Sequence, residues 1–434
     1  MFVAPSAYLL GGVQVWLDYL LVNLNSNGWK CQLALVNGKF HDAKAYLKAH
    51  PFDDVVLVES VTQTHWGRVQ ALSNVIEAAQ PQLVVNVNIA DTYIAMADIK
   101  AQSSLAPRFM PSIHGLEPQF FCDLAKYRDI IDGVLVTNRL TERVVAELAD
   151  IETQKIFYAP YGVSNSIVSS NKVSNNFTVL YAGRLENQQK RCADLVSIIS
   201  RLAKKLKGVR FIIAGEGPYR QSLETALTNH MDVNQFEFLG NVDRTKLLAE
   251  ILPLSNALLI TSQWETGPIV AWEAMAAGVP VVSSRYLGLA EERALAHEQN
   301  CLLFDVGDVE HASDHLAKLY DQKLRLKIIK NAFSLIESRY TVSRSVELAA
   351  LAFDTVLCRP DTNAQKLPPQ VSWQTKGKIE FVFGARLGNF VRRFLRLPAK
   401  TFAAGDEWPH SMNLGGDVYS KMKLKLDKIF QKSR

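Results

Sequence analysis

No two cysteines in this chain suggest a pair. Cys31, Cys122, Cys192, Cys301 and Cys358 are odd in number and widely spaced, and none forms Cys-x-x-Cys. Neither a disulfide framework nor a zinc site follows, and a reducing compartment fits. Long apolar runs are also missing: eighteen consecutive apolar residues occur nowhere, and residues 1–12 carry no basic n-region. The expectation is a cytoplasmic protein, neither secreted nor membrane-spanning. No short repeat or low-complexity tract appears, and no Asp-x-Asp stands at a strand end to chelate a metal.

What is present is globular composition, with 48% apolar and 21% charged residues. At 434 residues the chain exceeds one ordinary core, so two domains and an appendage are expected. The net charge of +5 is unevenly placed. From residue 360 onward, fourteen Lys/Arg face six Asp/Glu, a charge of +8 that leaves −3 on the rest. A nucleic-acid binder would carry its basic charge on the main body, so no such partner is expected.

Short apolar runs alternate with helical spacing over residues 1–165. Val55–Val58, Leu83–Val87 and Val134–Val136 read as buried strands, with helices over 13–24 and 69–79. A Ser/Asn-rich stretch, 164–176, reads as a linker. Candidate strands then recur at 178–181, 210–214, 237–239, Ala257–Ile260, 279–283 and 301–304. Helices fit at 193–206, 220–228 and 245–252, and helical pattern returns at 324–338 and 342–357. Such alternation implies an α/β fold of mostly parallel sheets with helices on both faces. The expected division is 1–165, 166–340, a helix at 341–359 packing back on the first domain, and a basic extension at 360–434.

The densest chemistry lies in Ser262-Gln-Trp-Glu-Thr-Gly-Pro-Ile-Val-Ala-Trp-Glu-Ala-Met-Ala-Ala-Gly-Val-Pro-Val-Val282. Gly267 permits a close backbone approach, Pro268 suits a first helical position, and Gly278 closes the helix. Ile269, Val270, Ala271, Trp272, Ala274 and Met275 leave that helix no polar face, and a helix apolar all round is buried. Glu273 sits in it regardless. A buried carboxylate must meet a cation, donors or ligand hydroxyls. Glu265 lies just before the helix N-terminus, where free N–H groups attract anions such as a diphosphate. From these residues alone two readings stay open. Glu273 pairs with an internal arginine while Glu265 serves the helix start, or both line a ligand site.

Set in S-x-x-E-x-G-x-x-x-x-x-E-A-M-A-x-G-x-P-V-V, the two glutamates resemble the signature of the retaining family 4 glycosyltransferases of GT-B fold. Tyr181-Ala-Gly-Arg184 with Lys190 resembles the family's G-R…K element, which implies that Arg184 and Lys190 grip a donor diphosphate. Arg191 follows where many relatives have glycine, leaving Lys190 and Arg191 as alternatives. Ile213-Ala-Gly-Glu-Gly-Pro218 and Phe238-Leu-Gly-Asn-Val242 also fit, implying a nucleobase pocket with Gly215, Asn241 and Val242; a purely structural turn is the alternative at Gly215. Gly11-Gly12 resembles the family's glycine loop, which implies Gly12 at the phosphates, with a plain turn as the alternative. His114-Gly115 resembles the first-lobe histidine near the transferred sugar, with a structural histidine as the alternative. The resemblance covers about residues 1–357 and implies two Rossmann-like domains facing a central cleft; the basic tail has no counterpart in it.

The implied activity is that of a retaining, hexosyl-transferring glycosyltransferase in polysaccharide, lipopolysaccharide or other glycoconjugate assembly. Its substrates would be a nucleoside-diphosphate sugar and a glycan or lipid-linked acceptor. By the resemblance, Glu265 contacts sugar hydroxyls and shares the catalytic role with His114. Gly12, Arg184, Lys190, Gly267, Pro268, Ile269 and Glu273 hold the donor, Glu273 through the ribose. Cations and a helix end meet the charge growing on the diphosphate, so no metal or other cofactor is expected. The alternatives are a GT-B nucleotide-sugar epimerase and a non-catalytic nucleotide-sugar-binding protein. Within 379–397, Phe383, Leu387, Phe390, Val391, Phe394 and Leu395 recur at helical spacing among Arg386, Arg392, Arg393 and Arg396. This stretch reads either as a peripheral contact with the inner face of a membrane or as a helix packed on the protein itself.

Overall fold

The computed structural model describes residues 1–6, 12–36, 43–60, 65–103, 105–164, 177–360 and 416–432, with scattered positions between 379 and 395. Two compact units form: Met1–Ala159 with Val346–Lys432, and Pro160–Ser345. The chain thus passes between units at 159/160 and 345/346, where the sequence suggested 165 and 340. Most of the expected linker, 165–176, lies outside the described residues.

Unit 1 is built on a seven-stranded parallel sheet, ordered β3-β2-β1-β4-β5-β6-β7. Its strands are β1 (Phe2–Pro5), β2 (Leu33–Val36), β3 (Val55–Val58), β4 (Leu83–Val87), β5 (Arg108–Ile113), β6 (Val134–Val136) and β7 (Ile156–Tyr158). Helices α1 (Gly12–Ser26), α2 (Ala43–Ala49), α3 (His65–Ala79), α4 (Ala90–Gln102), α5 (Pro118–Tyr127) and α6 (Arg139–Ala149) connect them. Val55–Val58 has the bounds read from the sequence but is only partly buried, because β3 is the sheet edge and its neighbour lies on one side alone.

Unit 2 carries a six-stranded parallel sheet, ordered β10-β9-β8-β11-β12-β13. The strands are β8 (Phe177–Ala182), β9 (Val209–Ala214), β10 (Phe236–Gly240), β11 (Ala257–Ile260), β12 (Val281–Ser284) and β13 (Leu302–Phe304). Helices α7 (Ala193–Lys205), α8 (Arg220–His230), α9 (Arg244–Lys246), α10 (Ile269–Ala276), α11 (Leu289–Glu292), α12 (Val309–Lys318) and α13 (Gln322–Arg339) complete it. Leu195, Ile198, Ile199 and Leu202 repeat along one face of α7 and bury completely against Val179, Phe211 and Leu259. Each such side chain contributes about 1.5–3 kcal/mol.

Helix α14 (Val342–Cys358) begins in unit 2 and continues in unit 1. Its Phe353 meets Phe2 and Trp29 edge to face, at ring separations of 5.9 and 5.8 Å. Just beyond the helix, Arg359 donates to the Asp132 carbonyl at 3.3 Å. A terminal helix, Gly416–Lys432, lays Met422, Leu426 and Ile429 on α5 and α6. Among the described residues, no helix is long and apolar enough to cross a membrane.

Candidate functional site

Four loops leave the C-terminal edge of the unit 2 sheet. They carry Arg184 and Lys190 after β8, Gly215 after β9, Asn241 and Val242 after β10, and Glu265 to Glu273 after β11. Strand order reverses between β8 and β11, the place where an open parallel sheet leaves a crevice for ligands.

Glu186 shapes the first loop. Its carboxylate accepts backbone N–H bonds from Gln188 at 2.7 Å, Gln189 at 3.0 Å and Lys190 at 2.9 Å. Gln189 then ties this loop to the next, donating to the Trp264 carbonyl at 3.0 Å and accepting from Arg184 Nη2 at 2.6 Å. Thr261 Oγ1 donates to the Lys190 carbonyl at 2.7 Å. The sequence reading missed Glu186 and Gln189, since nothing in their spacing distinguishes them from ordinary loop polarity.

So held, Lys190 Nζ donates to Glu265 Oε1 at 2.6 Å, and Ser262 Oγ donates to the same oxygen at 2.5 Å. Glu265 is buried at 7% exposure. Its other oxygen, Oε2, has no hydrogen-bond partner among the described residues. Arg191 turns elsewhere, giving Nε and Nη2 to Asp194 at 2.8 and 3.1 Å. Of the two adjacent cations, Lys190 is therefore the one facing Glu265. Arg191 also stands at φ 51°, a left-handed conformation that glycine adopts more easily.

Helix α10 starts at Ile269, one residue later than expected. Pro268 holds the capping position, its ψ of 88° lying outside the helical range, after Gly267 turns the chain at φ 112°. Among the described residues no side chain caps this end, which leaves its first N–H groups available to a ligand. Glu273, inside the helix, is 5% exposed. Arg244 Nε donates to its Oε1 at 2.7 Å, and Oε2 again has no partner among the described residues. Burial raises the Glu273 carboxyl above its ordinary value, while the Arg244 charge and hydrogen bond pull it down.

The ion pair of the structural alternative is thus real, but its arginine is not internal. Arg244 opens α9 at the sheet's C-terminal edge, and 32% of its side chain is exposed. Both acids are held through one oxygen by a cation and, among the described residues, keep the other free. That arrangement can accept hydrogen bonds from hydroxyl groups without leaving either charge uncompensated.

The remaining residues fall less evenly. A Cβ at Gly215 would lie 1.9 Å from the Gly183 carbonyl oxygen, and one at Gly217 would lie 2.3 Å from that of Leu185. These glycines let the loop after β9 press on the loop that carries Arg184, which favours the structural reading at Gly215. Asn241 is exposed and Val242 half-buried. In unit 1, Gly12 is exposed at the start of α1, while Gly11 lies outside the described residues. His114, just after β5, packs 4.5 Å from the Trp16 ring and hydrogen-bonds Ser112. Burial lowers its pKa to about 3, so the imidazole is neutral at pH 7.

Residues 163–335 match the family described as Glycosyl transferases group 1. The glycogen synthase of Mycobacterium tuberculosis is 37% identical over 113 residues, covering 26% of this chain and 27% of that protein. The 2-deoxystreptamine N-acetyl-D-glucosaminyltransferase of Niallia circulans is 31% identical over 142 residues, covering 33% and 36%. The chain therefore spans well under half the length of these curated relatives. The crystal structure of HepE from Anabaena in complex with UDP and glucose superimposes with a TM-score of 0.66 at 17% identity, covering 82% of this chain and 98% of that one.

Proposed function

Unit 2 is a glycosyl transferases group 1 domain in a chain of GT-B fold, and from that premise we propose that the protein is a retaining glycosyltransferase. It moves a sugar from a nucleoside-diphosphate donor to a hydroxyl of a glycan or lipid-linked acceptor. The observation that carries this reading is the pair of anchored acids, Lys190–Glu265 and Arg244–Glu273, flanking the uncapped start of α10. Glu265 Oε2 takes the sugar hydroxyls and Glu273 Oε2 those of the ribose. Arg184, Lys190 and the α10 N-terminus meet the charge that grows on the leaving diphosphate, stabilisation that needs no metal.

Release of nucleoside diphosphate from a panel of nucleotide sugars, with and without glycan acceptors, tests the proposal. Acceptor-dependent release supports it. Conversion of donor without acceptor favours an epimerase, and binding without either favours a non-catalytic protein.

The acceptor reading extends to the tail. Phe383, Leu387, Phe390 and Phe394 follow an i, i+4, i+7, i+11 spacing, and each is exposed, Phe394 at 79%. On the terminal helix, Lys421, Lys425 and Lys428 form an exposed row beside the buried face. Apolar residues beside basic ones suit an anionic lipid surface. Wild type should sediment with vesicles containing phosphatidylglycerol, and a variant carrying Phe383→Ser, Phe390→Ser and Phe394→Ser should not. Equal sedimentation of both removes the membrane from the proposal.

A further inference from the structure

Arg244 is two-thirds buried, yet only its Nε is engaged, on Glu273 at 2.7 Å. Its Nη1 and Nη2 make no hydrogen bond among the described residues. A planar guanidinium fixed through Nε presents the other two nitrogens as a rigid donor edge. The residue enters from β10, the outer strand of the order β10-β9-β8-β11. Arg184, Lys190 and the α10 N-terminus belong instead to β8 and β11, beside the switch point. The charge that suits a diphosphate and the free donor edge therefore lie at different places along the sheet, with Glu273 held by Arg244 from the β10 side.

We propose that Arg244 is a positioning and specificity residue for the nucleoside half of the donor. Through Nε it orients Glu273 so that Oε2 meets the ribose hydroxyls, and through Nη1 and Nη2 it donates to acceptor oxygens of the nucleoside. This rests on the nucleotide-sugar reading above. Two parallel donors match guanine, which sets a carbonyl oxygen beside a ring-nitrogen acceptor, and can converge on a single carbonyl oxygen of uracil. Adenine sets an amino donor beside its ring acceptor and matches poorly. The chain should therefore prefer UDP or GDP to ADP, and Arg244 should be the source of that preference.

The sequence held one trace of this residue. It follows Asn241 and Val242 directly in a loop already singled out, but an arginine there reads as surface charge.

Calorimetric titration of the full chain with UDP, GDP, ADP and inorganic pyrophosphate tests the proposal, using wild type, Arg244→Ala, Arg244→Gln and Arg244→Lys. Loss of a charged hydrogen-bonding edge should weaken the preferred nucleotide by about tenfold or more and flatten the ranking against ADP. Pyrophosphate affinity should stay within error, while the thermal midpoint falls in Arg244→Ala and Arg244→Gln because buried Glu273 loses its cation. Lysine should not restore the ranking, because one ammonium cannot serve both Glu273 and a two-acceptor edge. An unchanged ranking in Arg244→Gln overturns this inference alone, as does equal loss of pyrophosphate binding. Wild type that binds no nucleotide overturns the underlying functional reading instead.

Discussion

Lys190 and Ser262 converge on one oxygen of Glu265, Oε1, at 2.6 and 2.5 Å, and leave Oε2 without a partner among the described residues. The lysine fixes the acid and compensates its charge, so the two residues should fail differently. Glu265→Gln keeps the shape and should lower kcat about tenfold or more, about 1.4 kcal/mol of barrier, with little change in thermal midpoint. Lys190→Ala should lower both, because the buried carboxylate loses its cation. Steady-state kinetics beside thermal denaturation separate these outcomes; wild-type turnover in Glu265→Gln removes the acid from the mechanism.

Arg191 offers the complementary control. Its guanidinium is bound to Asp194 and its backbone stands at φ 51°. Glycine there relieves the backbone and releases a partly exposed ion pair, two small effects of opposite sign. Arg191→Gly should keep kcat and KM within about twofold while Lys190→Ala does not. A large loss in the glycine variant would make Arg191 a donor-binding cation after all.

Gly215 should tolerate no side chain. A Cβ placed 1.9 Å from the Gly183 oxygen forces the loops after β8 and β9 apart. Gly215→Ala should cost about 1–3 kcal/mol of stability. In a unit of this size that is about 2–4 °C of midpoint per kcal/mol. Turnover should fall with it, since the displaced loop carries Arg184. An unchanged midpoint would contradict the packing.

His114 makes the chain acid-sensitive. Its folded pKa of about 3 lies below the ordinary 6.5, so between these values the unfolded chain binds the extra proton. The stabilisation is complete above pH 6.5 and is lost as pH falls. Between pH 7 and pH 5 this group alone should remove about 2 kcal/mol. Urea denaturation at the two pH values should show a smaller loss for His114→Asn than for wild type. Equal losses would mean that the imidazole is not buried in its neutral form.

The parts of the fold legible in advance were those that local pattern determines. Leu83–Val87 and Val134–Val136 are short, apolar and flanked by turns, and they form strands with those bounds. β5 escaped notice because Arg108 and Pro111 interrupt its apolar run, although buried neighbours on both sides make it a central strand. The site divided in the same way. Glu265 and Glu273 stood out because a carboxylate in an apolar helix is conspicuous. Arg244 did not, because its contact with Glu273 depends on how β10 and β11 are ordered in the sheet, which no local pattern records.

A crystal structure of the chain with its preferred nucleoside diphosphate tests the central claim most directly. The expected result is a nucleotide at the C-terminal edge of the unit 2 sheet, its ribose hydroxyls on Glu273 Oε2 and its diphosphate at the start of α10. A nucleotide bound elsewhere, with Glu273 contacting Arg244 alone, would contradict it.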